Sequence, residues 1–154
     1  MHKQRIYIDT SVIGGCFDEE FAEWSNKLFD EFIAGNKIAV ISDITIEELE
    51  EAPIYVKKRI EDIPAYYKEM IIFDEETDIL ALLYIENGVI TSKFKEDAQH
   101  IALSTINNID ILVSWNFKHI VNIERIRNYN SINIKYGYKS LEIRTPREVV
   151  YERE

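Results

Sequence analysis

Residues 5–11 read Arg-Ile-Tyr-Ile-Asp-Thr-Ser, a run of strand-forming residues that ends abruptly at an acidic side chain. Isoleucine and tyrosine are enriched in strands, whereas the polar residues that follow favour turns. The segment therefore predicts a buried strand at residues 5–8 that stops at Asp9. We expect a turn containing Gly14 and Gly15 to follow it.

The same kind of apolar run recurs along the chain, separated each time by a segment with helical spacing of its apolar residues. Strands that alternate with helices favour a parallel sheet covered on both faces. We therefore predict an α/β fold, a three-layer α/β/α sandwich with a central, mainly parallel sheet of about five strands. The length of 154 residues indicates one domain over residues 1–154. Beyond the first strand, the predicted strands are 37–41, 70–73, 109–114 and 141–143, and the predicted helices are 20–34, 45–53, 54–69 (interrupted near Pro64), 74–86, 93–106 and 117–130.

Composition excludes several classes of protein. No apolar run approaches the roughly 20 residues of a membrane span, so we expect no membrane association. The only cysteine is Cys16, which rules out a disulfide within the chain and fits the reducing cytoplasm. The three histidines lack the spacing of a zinc finger.

The net charge of −10 argues against a nucleic-acid partner at face value, but the charge is unevenly distributed. Residues 1–91 carry 20 acidic and 8 basic residues, whereas residues 92–154 carry 8 acidic and 10 basic residues. A locally basic strip at 118–147 can still contact phosphates, although an ordinary solvated surface explains it equally well.

Acidic and amide side chains follow the predicted strands or open the next helix. Asp9 directly follows the first strand, and Glu48 lies just beyond the second. Asp97 lies near the start of the helix at 93–106, and Asn116 follows the fourth strand. Functional groups of parallel sheets gather beyond the carboxyl ends of the strands, so these residues are candidates for one site.

Each acidic residue also has a purely structural interpretation. Asp9 is suited to a turn or helix cap, and Glu48 has the capping-box spacing with Thr45. The helix dipole favours Asp97 whatever its function. However, Asp97 shares a helix face with the apolar Phe94, and a carboxylate beside packed side chains needs a partner such as a cation.

Together the residues offer oxygen ligands without cysteine or histidine, which suits Mg²⁺ or Mn²⁺. Such ions polarise a phosphoryl oxygen and lower the pKa of a bound water. The sequence therefore predicts a metal site that acts on phosphate esters. Asp9, Glu48 and Asp97 are the predicted ligands, and Asn116 is a weaker, uncharged one.

The segments around these residues resemble the PIN-domain family of metal-dependent ribonucleases, including its VapC-like toxins. Residues 6–11 are similar to the family's opening strand with its first catalytic aspartate, and 46–49 to the segment with its glutamate. Residues 97–102 resemble the helix with the second aspartate, and 109–117 the fourth strand and its following turn. With the closing segment at 143–146, the resemblance extends over residues 5–147.

The resemblance implies a Mg²⁺- or Mn²⁺-dependent endoribonuclease that hydrolyses phosphodiester bonds of RNA. Many small bacterial relatives are toxins of toxin–antitoxin pairs and are dimeric, which makes an antitoxin protein and a second copy candidate partners. Ser114 and Asn116 stand where the family often has Thr and Asp, so a second metal position is expected to be weakened. The residues expected to act are Asp9, Glu48, Asp97, Asn116 and Ser114, with contacts to substrate from Ser11, Lys118 and His119.

Three other functions remain open on the sequence. The weakened position at Asn116 suits a non-catalytic RNA- or protein-binding module of the same fold. Asp9 suits a phosphotransferase with an aspartyl nucleophile, although Ser11 replaces the second aspartate that such enzymes usually carry. The acidic N-terminal half could mimic nucleic acid. Among the remaining candidates, His100 is interpreted as a surface or packing residue, and Tyr129, Tyr136 and Tyr138 as possible base-stacking residues.

Overall fold

The structure is a computed structural model that describes residues 2–150. All strand pairs in these residues are parallel, and together they form one sheet. The strands are β1 (Arg5–Ile8), β2 (Ile38–Ser42), β3 (Lys68–Ile71), β4 (Ile111–Val113) and β5 (Ile143–Arg144), in the spatial order β3-β2-β1-β4-β5.

Helices cover both faces of this sheet, which confirms the predicted three-layer α/β/α sandwich. The helices are α1 (Thr10–Gly15), α2 (Ala22–Ile33), α3 (Asp43–Leu49), α4 (Ile54–Arg59), α5 (Glu75–Glu86), α6 (Lys95–Ile106), α7 (Ile123–Lys135) and α8 (Pro146–Val149). One apolar core lies between the sheet and α5, α6 and α7, and a second lies between the sheet and α1, α2 and α4.

The alternation of side chains along β1 explains how one short strand serves two cores. Tyr7 packs into the core under α5, α6 and α7, whereas Ile6 and Ile8 pack into the core under α1 and α2. All three side chains are fully buried. Because successive side chains of a strand point to opposite faces, a central strand buried on both sides is apolar throughout.

The order of the strands places a crevice at the centre of the sheet. The chain proceeds from β1 outwards through β2 and β3, then returns to the other side of β1 with β4 and β5. The strand order therefore reverses between β1 and β4, and ligands of such sheets bind at this point beyond the carboxyl ends of the strands. Asp9 and Ser114 are the residues that directly follow these two strands.

The predicted turn at Gly14 and Gly15 is wrong, because both residues lie in helix α1. The side chain of Asp9 accepts a hydrogen bond from the backbone N–H of Val12 and so begins the helix. Gly15 is required for packing: a Cβ atom there would lie 2.7 Å from Oγ of Ser25 and 2.8 Å from Nε1 of Trp115.

Several element boundaries differ from the sequence prediction. The third strand was expected at 70–73 but lies at Lys68–Ile71. It is an edge strand, so apolar side chains such as Met70 and Ile72 remain exposed and do not mark its core positions. The predicted helix 54–69 ends as α4 at Arg59, and the helix expected at 117–130 is α7, which begins only after Asn122 caps it.

The described helices also bear on membrane association. Within residues 2–150, none of them combines the length and apolar character that a membrane crossing requires.

Candidate active site

Asp9 lies at the carboxyl end of β1 with only 4% of its surface exposed. Its Oδ1 accepts a hydrogen bond from Oγ of Ser11 at 2.6 Å, and its Oδ2 accepts one from Oγ of Ser114 at 2.6 Å. Burial raises the pKa of Asp9, while the nearby His100 and these hydrogen bonds act in the opposite direction. Asp9 is therefore both a helix cap and a fixed, buried carboxylate at the crevice.

Glu48 reaches the same crevice from α3. The helix is capped by Ser42, with Thr45 as the partner in its capping box, so Glu48 does not take the capping role that its spacing with Thr45 suggested. Its Oε1 accepts a short hydrogen bond from Nε2 of His100, and its Oε2 accepts one from Oγ1 of Thr10 at 2.9 Å. Burial acts to raise the pKa of Glu48, but the bonds and charge of His100 outweigh it and the pKa is lowered.

Asp97 is the least satisfied of the three carboxylates. Its one described hydrogen bond comes from Nδ2 of Asn116, at 3.2 Å to Oδ2. Burial raises the pKa of Asp97 to about 6, helped by the charges of Asp9 and Glu48 and opposed by His100. Asp97 therefore lies close enough to Asp9 and Glu48 to be repelled by both.

His100 lies among the three carboxylates, so the predicted surface position is wrong, whereas its burial agrees with the packing interpretation. Only 1% of its surface is exposed, and its two ring nitrogens contact Glu48 and the hydroxyl of Tyr7, the latter at 2.6 Å. Burial acts to lower the pKa of His100, but Tyr7 and Glu48 raise it well above its ordinary value. Its position three residues after Asp97, on the same helix face, was the available signal.

The turn after β4 supplies the residues that orient two of the carboxylates. Ser114 is fully buried, donates to Asp9, and accepts the backbone N–H of Asn116 at 2.9 Å. Oδ1 of Asn116 accepts the backbone N–H groups of Lys118 at 3.2 Å and His119 at 3.0 Å. Asn116 thus turns its NH₂ group towards Asp97, and its predicted role as a metal ligand stays a prediction.

The residues predicted to contact substrate differ in their availability. The hydroxyl of Ser11 is occupied, since it donates to Asp9 and accepts the backbone N–H of Trp115. The ring of His119 is buried against Phe94, with ring centroids 3.8 Å apart and Nδ1 without a hydrogen-bond partner. Lys118 is exposed beside the site and is the most available of the three predicted contacts.

The tyrosines of the basic strip do not form a stacking surface as a group. Tyr129 is fully buried, packs edge-on against Tyr84, and donates its hydroxyl to the carbonyl oxygen of His119 at 3.0 Å. Tyr136 is partly exposed but lies at the end of α7. Tyr138 donates to a carboxylate oxygen of Glu76.

The donor set fits a hard divalent cation in its chemistry, because it consists of carboxylates that lack a neutralising partner at Asp97. As the side chains stand, no three His, Cys, Asp or Glu residues among residues 2–150 are arranged to hold a metal ion. Both carboxylate oxygens of Glu48 are occupied by hydrogen bonds, from His100 and from Thr10. Mg²⁺ commonly binds through one or two carboxylates and keeps several waters, so Asp9 and Asp97 are the residues that would hold it here.

A groove with a volume of about 550 Å³ opens beside Glu48, between α3 and α6. Its walls include the acidic residues Glu47, Glu51 and Glu96, with Lys95 as a basic neighbour. A polyanion that approached the site from this side would meet mostly negative charge.

Comparison with known structures identifies similar folds. A chain in the structure of VapBC2 from Rickettsia felis, bound to a DNA fragment from their promoter, is 17% identical with a TM-score of 0.58, covering 92% of this chain and 98% of that one. A chain of FitAcB from Neisseria gonorrhoeae is 14% identical with a TM-score of 0.61, covering 94% and 99%. No protein-family profile and no curated protein matches the sequence. At these identities the likeness concerns the fold, and it confirms the PIN-like α/β fold predicted from the sequence.

Proposed function

We propose that the protein is a Mg²⁺- or Mn²⁺-dependent endoribonuclease that hydrolyses phosphodiester bonds of RNA. The observation that carries this proposal is the convergence of Asp9, Glu48 and Asp97, from three separate elements, at the point where the strand order reverses. Burial raises the pKa of Asp97 to about 6, and the charges of Asp9 and Glu48 add to this effect, so a bound cation would be favourable there.

The chain's own residues have distinct tasks in this proposal. Asp9 and Asp97 would hold the metal ion, and Glu48 would be a third ligand if its bond to His100 were released. The ion supplies positive charge for a phosphoryl oxygen and lowers the pKa of a water molecule. Ser114 fixes the orientation of Asp9 through its bond of 2.6 Å.

Asn116 fixes the orientation of Asp97 through its amide group. The exposed Lys118 contacts a phosphate of the RNA.

A role as the toxin of a toxin–antitoxin pair is a further part of the proposal. The resemblance of the sequence to VapC-like proteins supports it, as does the similarity of fold to chains of the VapBC2 and FitAcB structures. An antitoxin protein would then be a partner, and a second copy of the chain another. Co-expression with the product of a neighbouring gene, followed by co-purification, tests the first of these partners.

The test of the nuclease activity compares Asp97→Asn with the unaltered protein on single-stranded RNA in Mn²⁺. We expect the unaltered protein to cleave, chelation to abolish cleavage, and Asp97→Asn to lose at least about 100-fold, because changes around metal ligands alone cost 10–100-fold. Glu96→Gln is the matched control, since it removes the same charge from an exposed neighbour in the same helical turn. Equal activity of Asp97→Asn, or activity that survives chelation, would reject the proposal.

The non-catalytic binding module is the second candidate, and the bond from Asn116 to Asp97 favours it because a neutral donor there partly replaces a cation. Titration with Mn²⁺ in a thermal unfolding experiment separates the two functions. A ligand that binds only the folded protein raises its stability. A binding module without a metal site would therefore bind RNA and show no Mn²⁺-dependent rise in melting temperature.

A further inference from the structure

Three aromatic rings cluster directly beside the proposed site. The rings of Phe21 and Trp115 are stacked, with centroids 4.4 Å apart and an interplanar angle of 19°. Phe117 lies 6.3 Å from Phe21 and 6.2 Å from Trp115, measured between centroids. Trp115 is nearly buried, whereas Phe117 is 51% exposed, so the cluster ends in an uncovered ring.

This cluster is continuous with the site, because alternate residues of one turn serve both. Ser114 and Asn116 contact the carboxylates of Asp9 and Asp97. Trp115 and Phe117, which alternate with them, join the aromatic cluster. The exposed ring is thus one residue away from a side chain that contacts Asp97.

Hydrogen bonds hold the turn that carries Phe117 in one conformation. The side chain of Asn116 accepts the backbone N–H groups of the two residues that follow Phe117. The carbonyl oxygen of Phe117 itself accepts Nδ2 of Asn122 at 3.2 Å. On the buried side, Nε1 of Trp115 donates to Oγ of Ser25 at 2.9 Å. Because the backbone of this turn is already ordered, a ligand that binds to the ring does not have to order it.

The charges around the site favour a nucleic-acid occupant for this ring. The acidic groove lies on the side of α3, which follows β2, whereas the turn with Phe117 follows β4, on the other side of β1. The exposed Lys118 directly follows Phe117. An aromatic ring next to a cation is the usual means by which proteins bind an unpaired base and its phosphate.

We propose that Phe117, supported by Phe21 and Trp115, is a stacking platform for one unpaired nucleobase next to the scissile phosphodiester, which restricts the substrate to single-stranded RNA. The proposal rests on the proposed nuclease function for the position of the scissile bond. A base within a duplex is stacked on its neighbours and has no face free for the ring. Phe117 is a positioning residue and does not contact the reacting atoms.

The experiment measures the affinity for a short fluorescein-labelled oligouridine, together with kcat and KM for its cleavage in Mn²⁺. We expect Phe117→Ala to weaken binding about 5- to 150-fold, the effect of removing one stacked base, and to raise KM with little change in kcat. Phe117→Trp should restore binding, and Phe117→Leu should not, because leucine keeps the apolar volume without a ring. Tyr66→Ala is the aromatic control, since Tyr66 is 90% exposed and lies before the amino end of β3.

An oligouridine series with single abasic positions locates the stacked base. Removal of the base at one position should weaken binding to the unaltered protein but leave binding to Phe117→Ala unchanged. This result would support the platform. Binding that depends on Phe117 without any cleavage would reject the nuclease function and leave the platform standing. Unchanged affinity in Phe117→Ala, or equal affinity for duplex RNA, would overturn the platform and assign the exposed ring to a contact with a protein.

Discussion

At the amino edge of the sheet acidic side chains are paired with a cation, whereas at the carboxyl edge they are crowded together. The guanidinium group of Arg5 donates to both carboxylate oxygens of Glu69, at 2.9 and 2.6 Å. The backbone N–H of the same residue donates to Asp110 at 2.7 Å. This edge has the form of an ordinary structural ion pair, partly exposed and with matched charges.

At the carboxyl edge three carboxylates share one imidazole, and only Glu48 forms an ion pair with it. Within residues 2–150, no lysine or arginine forms a salt bridge with Asp9, Glu48 or Asp97, and the imidazole of His100 is the charge that all three carboxylates share. Burying charge without a partner is costly, and a fold retains such an arrangement where it serves a function. The comparison therefore assigns a structural ion pair to the amino edge and supports the proposed function of the carboxyl edge.

The largest effect on stability is expected when His100, which contacts Glu48 at the carboxyl edge, is removed. His100→Ala removes the imidazole that contacts both Glu48 and the Tyr7 hydroxyl, which keep Thr10 and Ser42 as partners, and we expect a loss of about 2–4 kcal/mol in the free energy of unfolding without metal. Because Glu48 has then lost its ion pair, Mn²⁺ should stabilise the variant more than the unaltered protein. Urea unfolding with and without Mn²⁺ measures both effects.

Tyr7→Phe provides the control for that experiment, because it removes only the hydroxyl on the far side of the imidazole. We expect it to cost about 1 kcal/mol and to leave the response to Mn²⁺ unchanged. If His100→Ala gains no more from Mn²⁺ than Tyr7→Phe does, Glu48 does not compete between the imidazole and the metal.

Removing the negative charge of Asp97 should raise the free energy of unfolding, whereas His100→Ala lowers it. The pKa of Asp97 is about 6 in the folded protein against an ordinary value of 3.8, so the folded state binds this proton more tightly. The folded state is then favoured below pH 3.8 and loses stability as the pH rises towards 6. Asp97→Asn should leave stability unchanged near pH 4 and raise it by about 1–3 kcal/mol at pH 7, with a chelator present. A loss of stability at pH 7 would contradict the crowding of charges.

A change at the amino edge should affect stability alone. Arg5→Met removes the ion pair with Glu69 and should lower the free energy of unfolding by about 1–2 kcal/mol, since both side chains are partly exposed. Cleavage of RNA and the stabilisation by Mn²⁺ should stay unchanged, because Arg5 lies at the other end of β1 from Asp9. A fall in activity at constant stability would show that the two edges are coupled.

The sequence by itself determined the class of fold and the candidates for the site. The alternation of predicted strands and helices along the chain predicted the parallel sheet. This succeeds because the spacing of apolar residues that marks each element can be read from a short stretch of sequence. It also placed Asp9, Glu48 and Asp97 at strand ends or helix starts. We predicted that they converge from the general rule that the carboxyl ends of parallel strands share one edge.

Only the tertiary structure decided what surrounds these carboxylates. His100 and Tyr7 are 93 residues apart in sequence, and nothing local links either residue to Glu48. The turn expected at Gly14 and Gly15 is instead part of a helix that Asp9 caps. Ser25 and Trp115 leave no room for a side chain at Gly15. The exposure of Phe117 depends likewise on Trp115 and Phe21 filling the space beneath it. Hydrogen-bond partners and free space are properties of the packed molecule, and no sequence window contains them.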